Sequence, residues 1–514
     1  MGNSTELGHD TATQAHSLTG AAAAVLAVDL DGSLIASDVL WESFLLMLKR
    51  SPWTVALVPF WLLKGRAYLK RQIALRADLD PASLPYRENV LEFLRGEKIR
   101  GRRLVLATAA DALLAGSVAQ HLGFFEEVLA SNGETNLKGS AKRTELERRF
   151  GTKKFDYLGN SRDDLEVWNG ARSAVLVQTS DRLKSSLERV GELGGLLQAP
   201  RMRFIYLVRL LRLHHWIKNL LIFVPLLLAH QLLNWGAWQR AACAFFCFGL
   251  CASGVYVLND LFDLPADRRH PQKKARPLAA GIVSIPAALA LSLACISLGL
   301  GVAGLWLTPV FTALLVAYGV LALLYSLSWK KLALIDVFLL ASFYSLRLFA
   351  GGSVTGIWPS NWLLGFSAFF FFSLAMGKRY SELILTGALE HHRRHDDPPG
   401  TFRVRVTGNG LEAFGRGYRP GDREFLSAVG IASAYASVII LALYMSSQEI
   451  TRLYRRPVFL WLTAPLVLYW LSRIWLLAHR GELVDDPVVF AIKDCTSYVI
   501  GLGVLLVMLL ALPV

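Results

Sequence analysis

The stretch from Asn259 to Gly281 holds the residues of this chain whose types and spacing most directly suggest chemistry. Its first positions contain Asn259, Asp260, Asp263 and Asp267, and they follow a long apolar segment. Acids at the end of a membrane helix are costly unless something binds them. Oxygen ligands of this kind suit Mg²⁺, which takes one or two carboxylates together with the phosphates of a substrate.

Two arrangements of these acids are open. If one helix continues through them, Asp263 and Asp267 share a face one turn apart, with Asp260 beside them. Pro265 lies inside the run, however, and should kink or restart the helix just after Asp263. A kink that moves Asp267 off the face would leave Asp260 and Asp263 to hold a metal.

The stretch resembles the UbiA-type prenyltransferase superfamily. Its start matches the pattern NDxxDxxxD, and its end, from Arg276 and Pro277 to Gly281, matches RPxxxG. The resemblance implies an Mg²⁺-dependent transfer from a diphosphate donor, whose phosphates the arginine suits. The implied metal ligands are Asn259, Asp260, Asp263 and Asp267, of which Asp263 and Asp267 are the catalytic candidates. A solvated loop that ends the helix is the structural alternative.

A second set of polar residues stands at the ends of predicted strands in the N-terminal part. The strand AVLAV is followed by Asp29 and Asp31, at the strand end where open α/β sheets bind ligands. Two aspartates separated by one residue can direct one carboxylate at a phosphorus and the other at the leaving oxygen. The strand RLVLAT ends at Thr108, Lys138 follows a turn-rich stretch, and Asp164 follows the strand KFDYLG.

This order of motifs resembles the haloacid dehalogenase-like phosphatase superfamily over about residues 22–195. The implied roles are an aspartyl-phosphate-forming nucleophile (Asp29), a general acid/base (Asp31), phosphoryl-binding residues (Thr108, Lys138) and ligands of Mg²⁺ (Asp29, Asp31, Asp164). Asn160 stands where the family usually has an aspartate. An amide brings no charge to a metal, so weaker metal binding or an inactive domain stays open.

About 70 residues separate the first two motifs, and they contain the run WTVALVPFWLLKGRAYLKRQIA. In the phosphatase family such an insertion is often a helical cap over the active site. Trp53, Phe60 and Trp61, followed by Lys64 and Arg66, also suit an interfacial helix among lipid headgroups. The two interpretations are compatible, and both stay open.

Composition divides the 514 residues, 54% of them apolar, into two parts. The first 200 or so are mixed like a soluble α/β protein, whereas the rest alternates apolar runs with short charged loops. We therefore predict a Rossmann-like α/β domain with a helical cap, followed by an all-α membrane bundle. The predicted divisions are a disordered segment 1–21, a phosphatase-like domain 22–198, a linker 199–215 and a transmembrane transferase domain 216–514.

Nine transmembrane helices are predicted from the apolar segments. They lie near 217–233, 238–259, 283–305, 308–327, 333–350, 361–377, 425–445, 457–477 and 496–513. An odd number puts the termini on opposite faces, and the loops on the face of the N-terminal domain are rich in Lys and Arg. The positive-inside rule makes that face the cytoplasmic side of a bacterial-type inner or plasma membrane. This topology and anionic substrates explain the net charge of +14, so we expect no nucleic-acid partner.

Further candidates lie at the same predicted face of the membrane domain. They are the substrate-binding candidates Lys218, Arg276, Tyr325, Lys331, Arg347, Lys378, Arg379 and Glu382, together with the buried charge Asp336. Charges inside an apolar helix, such as Asp336 and Arg347, should face an internal cavity rather than lipid. For each lysine taken singly, interfacial anchoring is an equal alternative.

Four motifs of the membrane domain narrow the resemblance. They are HHWIKN, YSLSWKK with the following IDVFLLASFYSLRLFAGG, GKRYSE and DPVVFAIKD. They are similar to the decaprenyl-phosphate phosphoribosyltransferase-like branch of the superfamily, which joins phosphoribosyl diphosphate to a polyprenyl phosphate. In the implied reaction Lys218 and Arg276 assist departure of the diphosphate, while Lys378 and Arg379 bind the second phosphate.

The fusion suggests two consecutive reactions. A lipid-linked phosphoribose keeps a 5-phosphate monoester, the kind of group that a haloacid dehalogenase-like domain removes. The leading hypothesis is therefore a bifunctional enzyme that makes this lipid and dephosphorylates it. One alternative is an aromatic-acceptor prenyltransferase with a regulatory or inactive phosphatase-like domain. Another is a soluble domain that Asn160 has disabled, serving as a lipid- or partner-binding module. Polyprenol length, eventual glycan and oligomeric state stay open.

Overall fold

The computed structural model describes residues 25–178, 180–200, 202–231, 233–270, 273–396, 417–447, 454–483 and 486–511. The predicted disordered segment 1–21 lies outside them. The chain forms two compact units. The first consists of the described residues up to Leu210 together with Asp260–Ala290, and the second consists of Leu211–Asn259 with the described residues from Leu291 onward. The predicted domain limits at 198 and 216 stay predictions, because the first unit also contains residues 260–281 of the acid-rich segment.

A parallel six-stranded sheet forms the centre of the first unit, in the order β3-β2-β1-β4-β5-β6. The strands are β1 Val25–Val28, β2 Leu104–Asp111, β3 Glu127–Ser131, β4 Phe155–Gly159, β5 Ser173–Gln178 and β6 Leu193–Gln198. β2 continues beyond its predicted end, so Thr108 lies inside the strand. The three strands predicted from the sequence are neighbours at the centre of the sheet.

The helices of this unit cover both faces of the sheet. They are α1 Val39–Arg50, α2 Val58–Leu63, α3 Arg66–Ala74, α4 Glu88–Ile99, α5 Ala112–Leu122, α6 Ser140–Phe150, α7 Leu165–Gly170, α8 Asp181–Glu188 and α9 Phe204–Leu210. Alternate residues of β1 enter different cores: Leu26 and Val28 pack in one apolar cluster and Ala27 in the other. Strands buried on both faces are expected to be apolar throughout. The predicted α/β architecture of this part is confirmed.

Asp29 and Asp31, which form the DxD motif, follow the carboxyl end of β1, an inner strand of the sheet. Val28 lies opposite Leu106 of β2 and Leu158 of β4. The N–H of the next residue, Asp29, donates to the Leu158 carbonyl at 2.9 Å. The direction of strand addition reverses at β1, and such switch points leave a crevice at the carboxyl ends of the strands.

The insertion between the first two motifs folds as helices α1 to α3. Trp61 packs with Met47 and Ile73 in a small core of its own. Trp53 and Phe60 remain 89% and 63% exposed. The insertion therefore packs on itself, and both the helical cap and the membrane contact stay predictions.

The remaining helices are α10 Val224–Leu228, α11 Trp235–Phe262, α12 Leu264–Arg269, α13 Ile285–Trp306, α14 Pro309–Leu327, α15 Ile335–Thr355, α16 Asn361–Asp396, α17 Arg423–Met445, α18 Thr463–His479, α19 Pro487–Lys493 and α20 Cys495–Ala511. Among the described residues, six helices are long and apolar enough to cross a membrane, or eight if each of two bent pairs counts as one. This part is a helical membrane region.

The predicted count of nine spans is not confirmed. The first predicted span begins as a 3₁₀ helix, Leu213–Phe223, and Pro225 then opens the short α10. The last predicted span, α20, is bent by 89° against α19. The predicted span 361–377 lies within α16, which is neither among the six helices nor in a bent pair.

Helix α15 contributes to two apolar cores of the second unit. Val337 and Ala341 pack in one cluster, whereas Ala350 and Val354 pack in the other. Its polar residues are consequently carried into the interior, where a charge needs a partner.

Candidate active sites

The DxD motif begins with a buried carboxylate. Asp29 Oδ1 accepts a hydrogen bond from Lys142 Nζ at 2.7 Å, and its Oδ2 accepts one from Ser33 Oγ at 3.1 Å. Burial raises the pKa of Asp29 to about 6; the Lys142 ammonium opposes this rise, and the carboxylate of Asp164 adds to it. The Asp29 carboxylate is therefore fixed by two hydrogen bonds, and the Lys142 ammonium balances its charge.

A chain of hydrogen bonds continues from this lysine. Lys142 Nζ also donates to the Tyr157 hydroxyl at 2.8 Å, and that hydroxyl donates to Asp164 Oδ1 at 2.7 Å. Burial lowers the pKa of Lys142, but the Asp29 and Asp164 carboxylates outweigh burial and raise it overall. The lysine therefore stays charged between two carboxylates, and the network joins the ends of β1 and β4 to α6.

The structure places Lys142 against Asp29, whereas the sequence pointed to Lys138. Lys138 Nζ lies 2.9 Å from Asp163 in a pair whose side chains are 48% and 58% exposed. Lys142 and Leu146 are the two buried residues of α6, one turn apart. A lysine on the buried face of a helix requires a paired acid, so helical periodicity was the signal that could have identified it.

Asp31 is held by the start of a helix. Its Oδ1 accepts the N–H of Val39, the first residue of α1, at 2.8 Å. Burial raises the pKa of Asp31 well above its usual value, and the Asp38 carboxylate adds to the rise. A raised pKa favours the protonated form of a carboxyl group, and that form suits a proton donor. Thr108 is buried, and its Oγ1 accepts the N–H of Ala110 at 3.0 Å.

Asn160 packs on the loop that carries the DxD motif. Its Oδ1 accepts a hydrogen bond from Ser33 Oγ at 3.1 Å. Gly32 adopts a φ of +77°, and a Cβ there would lie 2.4 Å from Asn160 Nδ2. Glycine is thus required by conformation and by space.

The three aspartates of this site differ in what their oxygens can still bind. Asp164 accepts the Tyr157 hydroxyl, the N–H groups of Asn160 and Ser161, and the Ser161 hydroxyl. It is therefore the least available of the three predicted ligands. In the described parts of the chain, no group of three or more His, Cys, Asp or Glu side chains is placed to hold a metal ion. The donor set fits an ion completed by substrate phosphate and water rather than a preformed cage.

In the acid-rich segment, the helix breaks where Pro265 predicts. α11 ends at Phe262 and α12 begins at Leu264, with Asp263 between them at φ −100° and ψ 6°. Pro265 occupies the first turn of α12, a position where its missing N–H has no cost. The predicted restart of the helix is confirmed.

The break groups the acids differently from either predicted arrangement. Arg276 Nη1 donates to Asp267 Oδ2 at 2.6 Å and lies 3.4 Å from Asp260 Oδ1. Asp260 and Asp267 are 4% and 5% exposed. Asp263 lies instead 3.4 Å from Lys49 Nζ of α1. Two carboxylates and an arginine form a set suited to a metal-bound diphosphate, because oxygen donors and a guanidinium both recognise it. The remaining predicted ligand, Asn259, is half-buried. It is the residue of α11 at which the first part of the second unit ends.

The acid-rich segment is bound to α1 by a second arginine. Arg268 Nη2 and Nη1 donate to the two carboxylate oxygens of Glu42 at 2.6 and 3.1 Å, and Arg268 Nε donates to the Ala279 carbonyl at 3.1 Å. The side chains of the pair are 9% and 3% exposed. A bidentate pair of this kind fixes orientation as well as distance.

In the second unit, two predicted lysines meet at one carboxylate. Lys218 Nζ and Lys378 Nζ lie 2.9 and 3.0 Å from Asp486 Oδ2, and the Tyr344 hydroxyl donates to Oδ1 at 3.0 Å. Two ammonium groups share one counter-ion, so the set has excess positive charge for an anionic ligand. Asp486 was not predicted as a site residue; its place before Pro487 as a helix N-cap was the available signal.

The other buried charges of this unit have protein partners. Arg347 Nε donates to Asn219 Oδ1 at 2.8 Å, and its guanidinium lies 4.6 Å from the Phe248 ring centre. Arg379 pairs with Asp336 and with Glu382 and donates to the Tyr325 hydroxyl; it is 1% exposed. The structure thus surrounds Arg379 with protein groups, which suits it to positioning neighbouring helices. Lys331 is exposed.

Comparison with known proteins identifies the family. The model of the UbiA prenyltransferase family matches residues 220–384, which include the acid-rich segment and Lys378. The uncharacterized protein y4nM of Sinorhizobium fredii is 37% identical over 480 residues, which cover 93% of this chain and 89% of that protein. The chain belongs to the UbiA prenyltransferase family, and it is an integral membrane protein of the transferase class.

One further sequence relative matches a shorter part of the chain, and one solved structure matches at low sequence identity. The decaprenyl-phosphate phosphoribosyltransferase of Corynebacterium glutamicum is 38% identical over 199 residues, which are 37% of this chain and 59% of that protein. The solved structure of a UbiA homologue from Archaeoglobus fulgidus bound to GPP and Mg²⁺ matches with a TM-score of 0.42 and 18% identity. That match covers 59% of this chain and 99% of the solved one.

Proposed function

We propose that this chain is a bifunctional membrane enzyme. One activity transfers 5-phosphoribosyl from phosphoribosyl diphosphate to a polyprenyl phosphate, and the other removes the 5-phosphate of the lipid-linked product. The observation that carries the proposal is the composition of the first unit, in which the acid-rich segment packs with the DxD site. The name of the Corynebacterium glutamicum relative supports the choice of substrates for the transfer.

The transfer requires two anionic groups to meet. An oxygen of the lipid phosphate attacks the anomeric carbon of the ribose, and the carbon–oxygen bond to diphosphate breaks with its electron pair on the diphosphate. Lys218 and Lys378 suit the binding of one phosphate group. No strong base is needed, because a phosphate monoester is already an anionic nucleophile.

The acid-rich segment suits the leaving diphosphate. Asp260 and Asp267 would hold Mg²⁺, which when bound neutralises the charge of the departing group, whereas Asp263 lies beside Lys49. Arg276, already placed between Asp260 and Asp267, adds hydrogen bonds to the same phosphates. The dephosphorylation site would likewise hold Mg²⁺, with the Asp29 carboxylate as a ligand.

The positions of the first unit's side chains support the proposed dephosphorylation. An Asp29 oxygen attacks phosphorus, and the bond from phosphorus to the 5-oxygen of ribose breaks as that oxygen takes a proton from Asp31. Water then attacks the aspartyl-phosphate, Asp31 takes back a proton, and inorganic phosphate leaves. Lys142 holds the Asp29 carboxylate in place and balances its charge.

Both sites are proposed to face the cytoplasm. The support is the concentration of Lys and Arg in the loops on that predicted side of the membrane region. Labelling of single introduced cysteines in intact and opened cells would test this orientation, and labelling of the DxD side in intact cells would contradict it.

The central experiment follows labelled phosphoribosyl diphosphate in the presence of polyprenyl phosphate and Mg²⁺. Wild-type protein should form lipid-linked ribose, whereas Asp29→Asn should accumulate the lipid-linked ribose 5-phosphate. Asp163→Asn, which removes an exposed carboxylate of the neighbouring loop, is the matched control and should behave as wild type. Absence of the phosphorylated lipid in Asp29→Asn would contradict coupling. Product formed only from a prenyl diphosphate and an aromatic acid would contradict the transfer itself.

A further inference from the structure

A cleft of about 670 Å³ opens in the first unit beside the DxD loop. One end is polar and is formed by Asp31, Gly32, Asn160 and Ser161. These residues belong to the ends of β1 and β4, where the dephosphorylation chemistry is proposed. The carboxylates of Asp38 and Asp181 also line the cleft and suit sugar hydroxyl groups.

A second wall of the cleft is apolar. It is formed by Ile282, Ile285 and Pro286, which follow the acid-rich segment, with Trp41 and Met202. A phosphatase site for a small, charged sugar phosphate has no need of such a wall. Apolar side chains that line an open cleft favour an apolar part of a ligand, because contact removes both surfaces from water.

The apolar wall is held close to the DxD loop by Gly281. This residue has a φ of +69°, and a Cβ on it would lie 2.3 Å from the Ala36 carbonyl oxygen. The backbone of the segment therefore runs directly against the loop that follows Asp31. The polar and the apolar residues therefore line one cleft side by side.

Arg87 adds a positive charge to the lining of the cleft. Its Nε donates to the Gly32 carbonyl at 3.1 Å, which holds the side chain beside the DxD loop. Among the residues that the structure describes, no carboxylate forms an ion pair with it. An arginine without a protein counter-ion beside a phosphoryl site suits a second phosphate group.

We propose that the cleft binds an amphiphilic sugar phosphate through three parts: a terminal phosphate monoester at the DxD loop, a phosphodiester at Arg87, and the first apolar units of a lipid chain at Ile282 and Ile285. The inference rests on the proposed function and specifies its second substrate. The site then selects the lipid-linked sugar phosphate over a free sugar phosphate of the same chemistry.

The test compares two substrates in the intact, detergent-solubilised protein. One is a short polyprenyl-phosphoryl ribose 5-phosphate, and the other is ribose 5-phosphate, which lacks the phosphodiester and the lipid. Wild type should prefer the first in kcat/KM by about 100-fold or more. Arg87→Gln and Ile282→Ser should each reduce this preference by about 10-fold, mainly through KM for the lipid-linked substrate, since a charge-assisted hydrogen bond and a buried side chain each contribute on that scale.

Arg95→Gln is the matched control, because Arg95 is an exposed arginine of α4 paired with Glu88. It should leave the preference unchanged. Equal hydrolysis of both substrates by wild type would overturn the inference while the phosphatase activity stands. An equal loss on both substrates in Arg87→Gln would place that arginine at the monoester and also overturn it. Hydrolysis of neither substrate by wild type would overturn the proposed function together with the inference.

Discussion

Arg276 is the residue on which the two buried acids of the transferase motif depend. Replacement by alanine removes the guanidinium that lies 2.6 Å from the buried Asp267 carboxylate and 3.4 Å from Asp260, and loss of one partner of a buried pair costs about 3–5 kcal/mol. We expect Arg276→Ala to lower the unfolding temperature and to reduce transfer by about 100-fold or more, as loss of a charge clamp does. Thermal unfolding and labelled lipid product measure the two effects.

Arg269→Ala is the control for this substitution. Arg269 pairs with Asp80, and the two side chains are 65% and 46% exposed. Exposed pairs contribute about 0–1 kcal/mol, so both measurements should stay near wild type. An Arg276→Ala protein with wild-type transfer would show that Arg276 has no part in binding the diphosphate.

Two lysines of the first unit differ in burial: Lys142 is buried and Lys138 is exposed. Lys142→Ala removes the buried partner of Asp29 and should reduce hydrolysis of ribose 5-phosphate by about 100-fold, a typical cost of losing a positioned catalytic contact. Lys138→Ala removes an exposed ion pair and should change the rate by less than about threefold. A larger loss in Lys138→Ala than in Lys142→Ala would restore the assignment suggested by sequence.

The acids of both sites were predictable because they occupy strand or helix ends in the sequence itself. Their partners were not. Lys142 is 113 positions from Asp29, and Asp486 is 268 positions from Lys218. A local pattern can show that a buried charge needs a partner, but only tertiary packing decides which partner meets it.

At the scale of elements, α1 contacts both sets of acids. Its first N–H binds Asp31, Glu42 of its first turn holds Arg268, and Lys49 of its last turn lies beside Asp263. The helix therefore fixes the DxD loop and the acid-rich segment relative to each other. Residue identity alone did not show this role, because α1 lies in the predicted cap.

Loss of the Glu42–Arg268 pair should loosen this connection. Glu42→Gln removes the charge of a bidentate, buried pair, and we expect a loss of about 1.5–3 kcal/mol in unfolding free energy, the scale of a hydrogen bond to a charged group. Both activities should fall together. Glu88→Gln, in an exposed pair with Arg95, is the control. Thermal unfolding and the two product assays are the measurements, and an unchanged unfolding temperature would refute the role of the pair.

The helix break in the acid-rich segment shows what local chemistry can and cannot predict. Pro265 predicts where the helix ends, because proline fixes φ and lacks an N–H. The direction in which the chain restarts depends on Arg276 and Lys49, which lie outside the local pattern. The same limit applies to the membrane spans, because the length of an apolar run does not show where a helix bends or becomes a 3₁₀ helix.

At the scale of the molecule, the acid-rich segment proposed to bind the diphosphate and the residues proposed for dephosphorylation lie in one compact unit. We expect wild type to convert the phosphorylated intermediate faster than an equimolar mixture of Asp29→Asn and Asp267→Asn, each of which retains one activity. In the mixture the intermediate must pass between molecules. A time course of labelled lipids measures the difference, and identical courses would exclude any benefit of the fusion.

The first unit is discontinuous along the chain, since Asp260–Ala290 returns to it after α11. A fragment ending at Leu210 would lack Arg268, Gly281 and the apolar wall of the cleft, so the proposed lipid-linked substrate would lose part of its binding site. Conversely, deletion of the N-terminal residues would leave the acid-rich segment without the helix that Arg268 contacts. Dividing the chain at its composition boundary would therefore separate two parts of one compact unit.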